Sequence, residues 1–283
     1  MKKAKADFIT ALAQQDTDHF TFTCKDNDLI IVVGTLLSRS NKMVLEEISA
    51  CVEKESASLV YLFTMEEKAL HTQTTFFSRY EAGSEEGVFA LLAKTLLSNT
   101  VLPQSLQTYF DNLDDGYLSA ESNIGEEEIE EIQSLYEQNA RVVLVLGDDL
   151  YMHPQANNIA HLAGLLASFG KAKILLSNEN ELITPKNNEI PPKEVESLKS
   201  FDGTVVYRCP ALNTDEERFL VGSLQFQMAA KVQHGDKIQV VINQAMYPRT
   251  FVLDESLKGT IALMPSAQNE DISYRYNVAK IVK

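Results

Sequence analysis

The stretch Arg141–Leu176, RVVLVLGDDLYMHPQANNIAHLAGLLASFGKAKILL, restricts the fold more than any other part of the chain. It opens on an apolar run, Val142 to Leu146, closed at once by Gly147. A run that short does not span a membrane, and it fits a strand covered on both faces, as a parallel sheet requires. Pro154 stands where a helix can begin. From Ile159 the apolar residues fall at Leu162, Ala163, Leu166 and Phe169, one face of a helix, and Gly170 stands where a left-handed C-terminal cap is expected. Lys173–Leu176 then returns as a second strand. The unit reads as strand, glycine turn, helix, strand, and the ends of such strands are where parallel sheets keep their binding crevices.

An earlier stretch, Asp28–Phe63, repeats the unit. LIIVVG at Leu29–Gly34 is followed by Val44, Ile48, Cys51 and Val52 on one helix side and a strand at Leu59–Phe63. The intervals Gly34–Leu59 and Gly147–Lys173 differ by one residue, which predicts duplicated architecture. Before it, residues 1–27 read as an N-terminal segment, a short helix and then a polar connection with an edge strand at Phe20–Cys24. After it, Met65–Phe77 is polar and irregular. Ser84 is the expected N-cap of a helix whose first turn holds Glu85 and Glu86 and whose buried face is Val88, Leu91, Leu92 and Thr95. Leu106–Tyr117 reads as another short helix. Ile129, Ile132, Leu135 and Tyr136 make an apolar stripe through Glu126–Asn139, so the glutamates at 126–131 are the solvated start of an amphipathic helix.

Residues 28–180 thus form an α/β domain with two Rossmann-like strand-glycine-helix units. Residues 181–200 are rich in proline and asparagine and carry no apolar period until Val195, the signature of a linker. From 201 to 283 the period shortens to alternation, with strands expected at Gly203–Tyr207, Lys237–Ile242, Arg249–Leu253, Thr260–Leu263 and Ile272–Ile281. A helix is expected at Glu217–Lys231 and a tight turn at Gly235. These features predict a small, mostly β, barrel-like domain.

Composition narrows the function. The 283 residues are 45% hydrophobic, enough for a sizeable core, and the net charge of −15 argues against a general basic field for nucleic acid or an anionic membrane, while leaving room for a local patch. Cys24, Cys51 and Cys209 follow no metal or disulfide spacing, Cys51 reads as a core thiol, and a reducing cytoplasmic setting accounts for all three. The N-terminus has no apolar middle of a signal peptide, and no segment reaches the length of a membrane span.

Motifs with chemistry are scarce. There is no P-loop, HExxH, GxSxG, CxxC or GxGxxG; Gly34 leads into Thr35-Leu36-Leu37-Ser38 and Gly147 into Asp148-Asp149-Leu150-Tyr151. Asp148, Asp149 and His153 are the ionisable cluster at a strand end, with helix capping as the competing role for the two aspartates. His161 reads as a boundary histidine, His234 as a surface turn residue, and His19 and His71 have no evident partner. Tyr274 and Tyr276 share a face of the last strand.

The segments VGTLLSRSN at 33–41, YEAGSEEGVFALL at 80–92 and VLVLGDDLYMHP at 143–154 resemble the C-terminal region of the large iron-sulfur subunit of bacterial respiratory NADH-quinone oxidoreductase, complex I. That region is similar to molybdopterin-dependent oxidoreductases. VQHGDKI at 232–238 and LKGTIAL at 257–263 resemble the barrel domain that closes over the pterin dinucleotide in those enzymes. The resemblance covers most of residues 28–283. It implies a scaffold with no bound cofactor, a structural fragment or truncated subunit that supports electron transfer without performing it. Its partners would be other subunits of a respiratory complex, with no nucleic acid and no direct membrane insertion, in the cytoplasm or held peripherally at the inner membrane through those subunits. Three scattered cysteines do not ligate an iron-sulfur cluster, which needs four. The competing expectation is a fragment of a molybdopterin-dependent oxidoreductase that still binds a pterin, or a nucleotide-binding α/β module, whose thin phosphate surface would be Gly34, Thr35, Ser38, Arg39, Gly147 and Asp148. A free-standing module for another small ligand is the third.

Overall fold

The computed structural model describes residues 2–13, 17–24, 29–179, 181–185, 190–267 and 274–283. The chain divides into two compact units, Met1–Ser200 and Phe201–Lys283. The first is a seven-stranded α/β layer and the second a seven-stranded, nearly closed β-sheet, the mixed class that the periodicities imply.

The first unit begins with helix α1 (Lys2–Ala13) and strand β1 (Thr17–Thr21), then β2 (Leu29–Val33). A short helix α2 (Leu37–Ser40) and α3 (Lys42–Glu55) carry the chain to β3 (Ser58–Leu62) and β4 (Phe76–Ser78). Four helices follow, α4 (Glu85–Leu96), α5 (Gln104–Asp111), α6 (Asp115–Ser122) and α7 (Glu126–Gln138), and then β5 (Val142–Leu146). The unit ends with α8 (Ala156–Ser168), β6 (Ala172–Leu176) and β7 (Glu181–Pro185). Strands lie in the order β1-β7-β6-β5-β2-β3-β4, parallel from β6 to β4, with β7 and β1 antiparallel at one edge. All five residues of β2 and of β5 are buried, as their unbroken apolar runs require. Helices α1 and α4 pack against α8.

Several boundaries differ from expectation. The supposed linker contains β7, whose Leu182 and Ile183 are buried against β6, so the sheet continues past its last parallel strand. Proline and asparagine around a five-residue strand hid its short apolar pair. Residues 190–200 then run without regular structure along the first unit, with the Leu198 backbone N–H on the Tyr117 hydroxyl at 2.9 Å. The irregular 65–77 stretch holds edge strand β4, and Leu106–Tyr117 resolves into two helices. Gly170 is not left-handed: its backbone is needed because a Cβ there would sit 2.5 Å from the Leu166 carbonyl and 2.6 Å from the Tyr136 hydroxyl. Cys24 and Cys51 are joined as a disulfide across a separation of 27 residues, while Cys209 is free and buried. Their Cα atoms come within 4.8 Å only because the segment after β1 returns over α3, a juxtaposition that spacing does not reveal.

The second unit comprises β8 (Val205–Pro210), β9 (Phe219–Gly222), α9 (Leu224–Ala230), β10 (Lys237–Ile242), β11 (Ala245–Leu253), β12 (Ile261–Ser266), β13 (Tyr276–Val278) and β14 (Lys280–Val282). Its order is β13-β8-β12-β9-β11-β10-β14. The two edge strands are consecutive in the chain, one residue apart at Ala279, so a single C-terminal segment pairs with β8 and then β10 and nearly closes the sheet. The expected helix 217–231 is shorter, because Glu216–Arg218 form a single 3-10 turn and Phe219–Gly222 form β9 in parallel pairing with β11. Phe226 and Phe251 stack at 6.0 Å in the core with Val206, Leu220, Val240 and Met264 around them. Gly235 has φ +90°, the positive value its turn demands.

Candidate functional site

The strand order locates the crevice. From β2 the chain moves outward through β3 and β4, then returns to the other side of β2 as β5 and continues to β6. The reversal falls between β2 and β5, and ligands of open α/β sheets bind beyond the strand ends at such a switch point. Val33 pairs with Leu146, so Gly34 and Gly147 leave the sheet side by side.

Their approach is backbone to backbone. Gly147 N–H donates to the Val33 carbonyl at 2.8 Å and Asp149 N–H to the Gly34 carbonyl at 3.3 Å. A Cβ on Gly147 would lie 1.9 Å from the Gly34 oxygen, inside any possible contact distance. Gly34, at φ +76°, faces Leu150, whose side chain would meet an added Cβ at 2.6 Å. The space above both glycines is therefore filled by Leu150 and by the chain itself.

The polar groups around them are already engaged. Thr35 is fully buried; its hydroxyl lies 2.6 Å from Ser40 Oγ and donates to Asp148 Oδ1 at 3.2 Å. Its carbonyl accepts from the Tyr61 hydroxyl at 2.8 Å, and that hydroxyl accepts from Leu37 N–H. Ser38 N–H donates to Glu67 Oε2 at 2.8 Å, and Arg39 N–H to the Leu36 carbonyl. Asn41 caps α3 through Met43 and Val44 N–H and donates to the Ser177 carbonyl at the end of β6. Burial, with Glu67, Asp149 and Asp148 adding to it, raises the Tyr61 phenol well above its ordinary range and keeps it protonated. Asp149 makes no side-chain cap to the turn that follows.

A second buried polar group lies beside this loop. His153 accepts at Nδ1 from Gln155 N–H, which leaves its proton on Nε2, 3.2 Å from the Gly83 carbonyl and 3.4 Å from Glu85 Oε2. Glu86 accepts from Asn158 Nδ2 at 2.7 Å, and Asn158 exchanges two further hydrogen bonds with the Lys193 backbone. Burial pushes the Glu86 carboxyl above its ordinary range, against the Asn158 hydrogen bond. Ser84 stands at the N-cap of α4 with Glu85 and Glu86 in the first turn, as expected, but its hydroxyl donates to the Glu81 carbonyl instead of capping the helix, and both glutamates are buried.

The switch point thus brings together Gly34, Thr35, Gly147 and Asp148, with Ser38 and Arg39 half-buried at its margin. Sequence reasoning missed Glu67 and Tyr61 because each arrives from another element, and it gave Asn41 no role although that residue lies within the 33–41 segment. It also missed the burial of Glu85, Glu86 and His161, which no local pattern marks. His234 is exposed in its turn as expected, and His71 pairs with Glu66. The side chain of His19 lies outside the described residues. Among the described residues, no group of three or more His, Cys, Asp or Glu could hold a metal ion, and no helix is long and apolar enough to cross a membrane.

No family model and no curated protein matches the chain. Among solved structures, acetylene hydratase from Pelobacter acetylenicus is similar over 62% of this chain, at 12% identity and a TM-score of 0.45. The chain spans a quarter of that enzyme's length, 25%.

Proposed function

We propose that this chain is a scaffold portion of a respiratory NADH-quinone oxidoreductase subunit, a molybdopterin-oxidoreductase-like body that holds neither cluster nor pterin. The proposal includes a cytoplasmic position at the inner membrane through partner subunits. The motif resemblances at 33–41, 80–92 and 143–154 support the assignment.

The observation that carries the scaffold reading is the filled switch point. A pyrophosphate needs open space at the glycines and unspent donors aimed into it. Here Leu150 occupies the space at Gly34, and Ser38 N–H and the Thr35 hydroxyl are spent on Glu67 and Asp148. Glu67, Asp148 and Asp149 also set buried carboxylates where a phosphate would have to enter. The residues do not fit a pterin dinucleotide or other nucleotide, which disfavours the competing cofactor-binding reading.

The test is affinity isolation of the tagged chain from the cells that encode it. Co-isolation with subunits that oxidise NADH and reduce quinone in the same native-gel band is the expected result. Recovery as a lone protein, or with about one molybdenum or about four iron per chain by elemental analysis, would overturn the reading.

A further inference from the structure

The two units differ sharply in charge. Residues 1–200 hold 31 acidic and 16 basic side chains, the entire net charge of −15, whereas residues 201–283 hold nine of each. Within this neutral unit four cations converge on one cleft of about 590 Å³: Arg218, Lys237, Arg249 and Lys283. They come from four places in the chain, the turn before β9, the start of β10, the middle of β11 and the C-terminus.

Arg218 lies over the Phe219 ring at 5.0 Å and Arg249 over Tyr247 at 5.8 Å, contacts that order each guanidinium, and Arg249 Nη1 donates to the Pro248 carbonyl at 2.9 Å. Asp215 lies 3.7 Å from Arg218, and Asp236 pairs with Lys283 at 2.7 Å. The floor is the β10–β11 ladder, with Gln239, Pro248 and Thr250 in the lining.

We infer that this cleft is a docking site for an acidic polypeptide segment of a partner protein. Three features favour peptide carboxylates over phosphate. β11 pairs with β10 on one side and β9 on the other, so backbone N–H groups are taken up by the ladders and form no phosphate cradle. Asp215 and Asp236 at the rim oppose a compact dianion more than they oppose single carboxylates spaced along a chain. The cations are spread over an open surface, a geometry for several separated charges.

The probe is a fluorescein-labelled octa-glutamate peptide, titrated with the full chain by anisotropy. Saturable binding that weakens steeply between low and physiological salt is expected. Arg218→Glu/Lys237→Glu should reduce affinity at least about tenfold, while Lys231→Glu/Lys258→Glu, the same charge change at exposed positions outside the cleft, should stay within about twofold. Thermal melts of both variants establish that they fold. Equal loss in the two variants, undiminished binding by the cleft variant, or full displacement by equimolar inorganic phosphate would each overturn the inference.

Discussion

The switch point of the first unit and the cationic cleft of the second are opposite ways of arranging polar groups. At the switch point Thr35, Glu67, Asp148 and Asp149 are buried, and the hydrogen bonds of Thr35, Ser38, Glu67 and Asp148 run to neighbouring residues. In the cleft, Arg218 and Lys283 keep 65% and 56% of their side chains exposed. Buried polar groups must be satisfied from within, because leaving one unpaired costs roughly 1–3 kcal/mol, whereas exposed ones stay solvated until a partner replaces water. Position in a fold that commonly binds ligands is therefore a weaker guide than whether the groups there are buried and spent or stay exposed, as Arg218 and Lys283 do even while paired with Asp215 and Asp236.

The most severe way to break this contrast is to force the switch point open. Gly147→Ala places a methyl against the Gly34 backbone, and only main-chain movement relieves it. The expected loss is about 4 kcal/mol or more in urea denaturation, or failure to fold. A loss under about 1 kcal/mol would mean that the crevice has slack, and with it room for a ligand.

The disulfide sharpens the comparison between units, since only the first carries one among the described residues. Closing a loop of that length is worth about 3–4 kcal/mol in the chain-entropy account. Reduction, or Cys51→Ala, should lower the stability of the first unit and leave the second unit's transition in place, as calorimetry of the full chain would show. Disulfides are rare in a reducing cytoplasm, so the bridge pulls against the expected location. Thiol trapping in intact cells decides it: alkylation of all three cysteines before lysis would show that the pair is open there.

Much of the fold was legible because it rests on apolar period and strand length. β2, β5 and β6 announce themselves as buried runs ended by glycine or a polar turn, and α3, α7 and α8 by their stripes. What stayed hidden was set by pairing partners. β7 and β9 are short and have little pattern of their own; each is a strand because a neighbouring edge supplies its hydrogen bonds. The candidate site was legible as a place, two glycines at strand ends, but not as a state. Whether Leu150 fills the space beside Gly34, or Glu67 takes the Ser38 N–H, depends on the path of loops whose sequences carry no period.

Glu86 offers a pH-dependent probe of the buried polar arrangement. Its folded-state pKa is raised by burial, so the native state holds its proton more tightly than the unfolded chain does. This contribution makes stability rise as pH falls from above the folded pKa toward the unfolded value near 4.3, and above the folded pKa the penalty for the charged form is fully present. Glu86→Gln keeps an oxygen acceptor for Asn158 and removes the charge. It should raise the melting temperature at neutral pH and flatten the dependence on the acid side. An unchanged pH profile would mean that Glu86 is hydrated in solution and that this part of the unit is more open than its packing indicates.

Asp148→Asn should have the smallest effect. The carboxylate accepts from the Thr35 hydroxyl, and an asparagine oxygen accepts in the same geometry. The substitution weakens a charge-assisted hydrogen bond but also removes one of the negative charges facing Tyr61, and these changes oppose each other. The expected net change is below about 1 kcal/mol, measured by urea denaturation at neutral pH. A loss above about 2 kcal/mol would show that the charge itself is required, by a cation or a donor that reaches the switch point. Intact stability together with loss of an activity that copurifies with the chain would break the contrast from the other side, because a group spent wholly on packing has no charge-dependent task to lose.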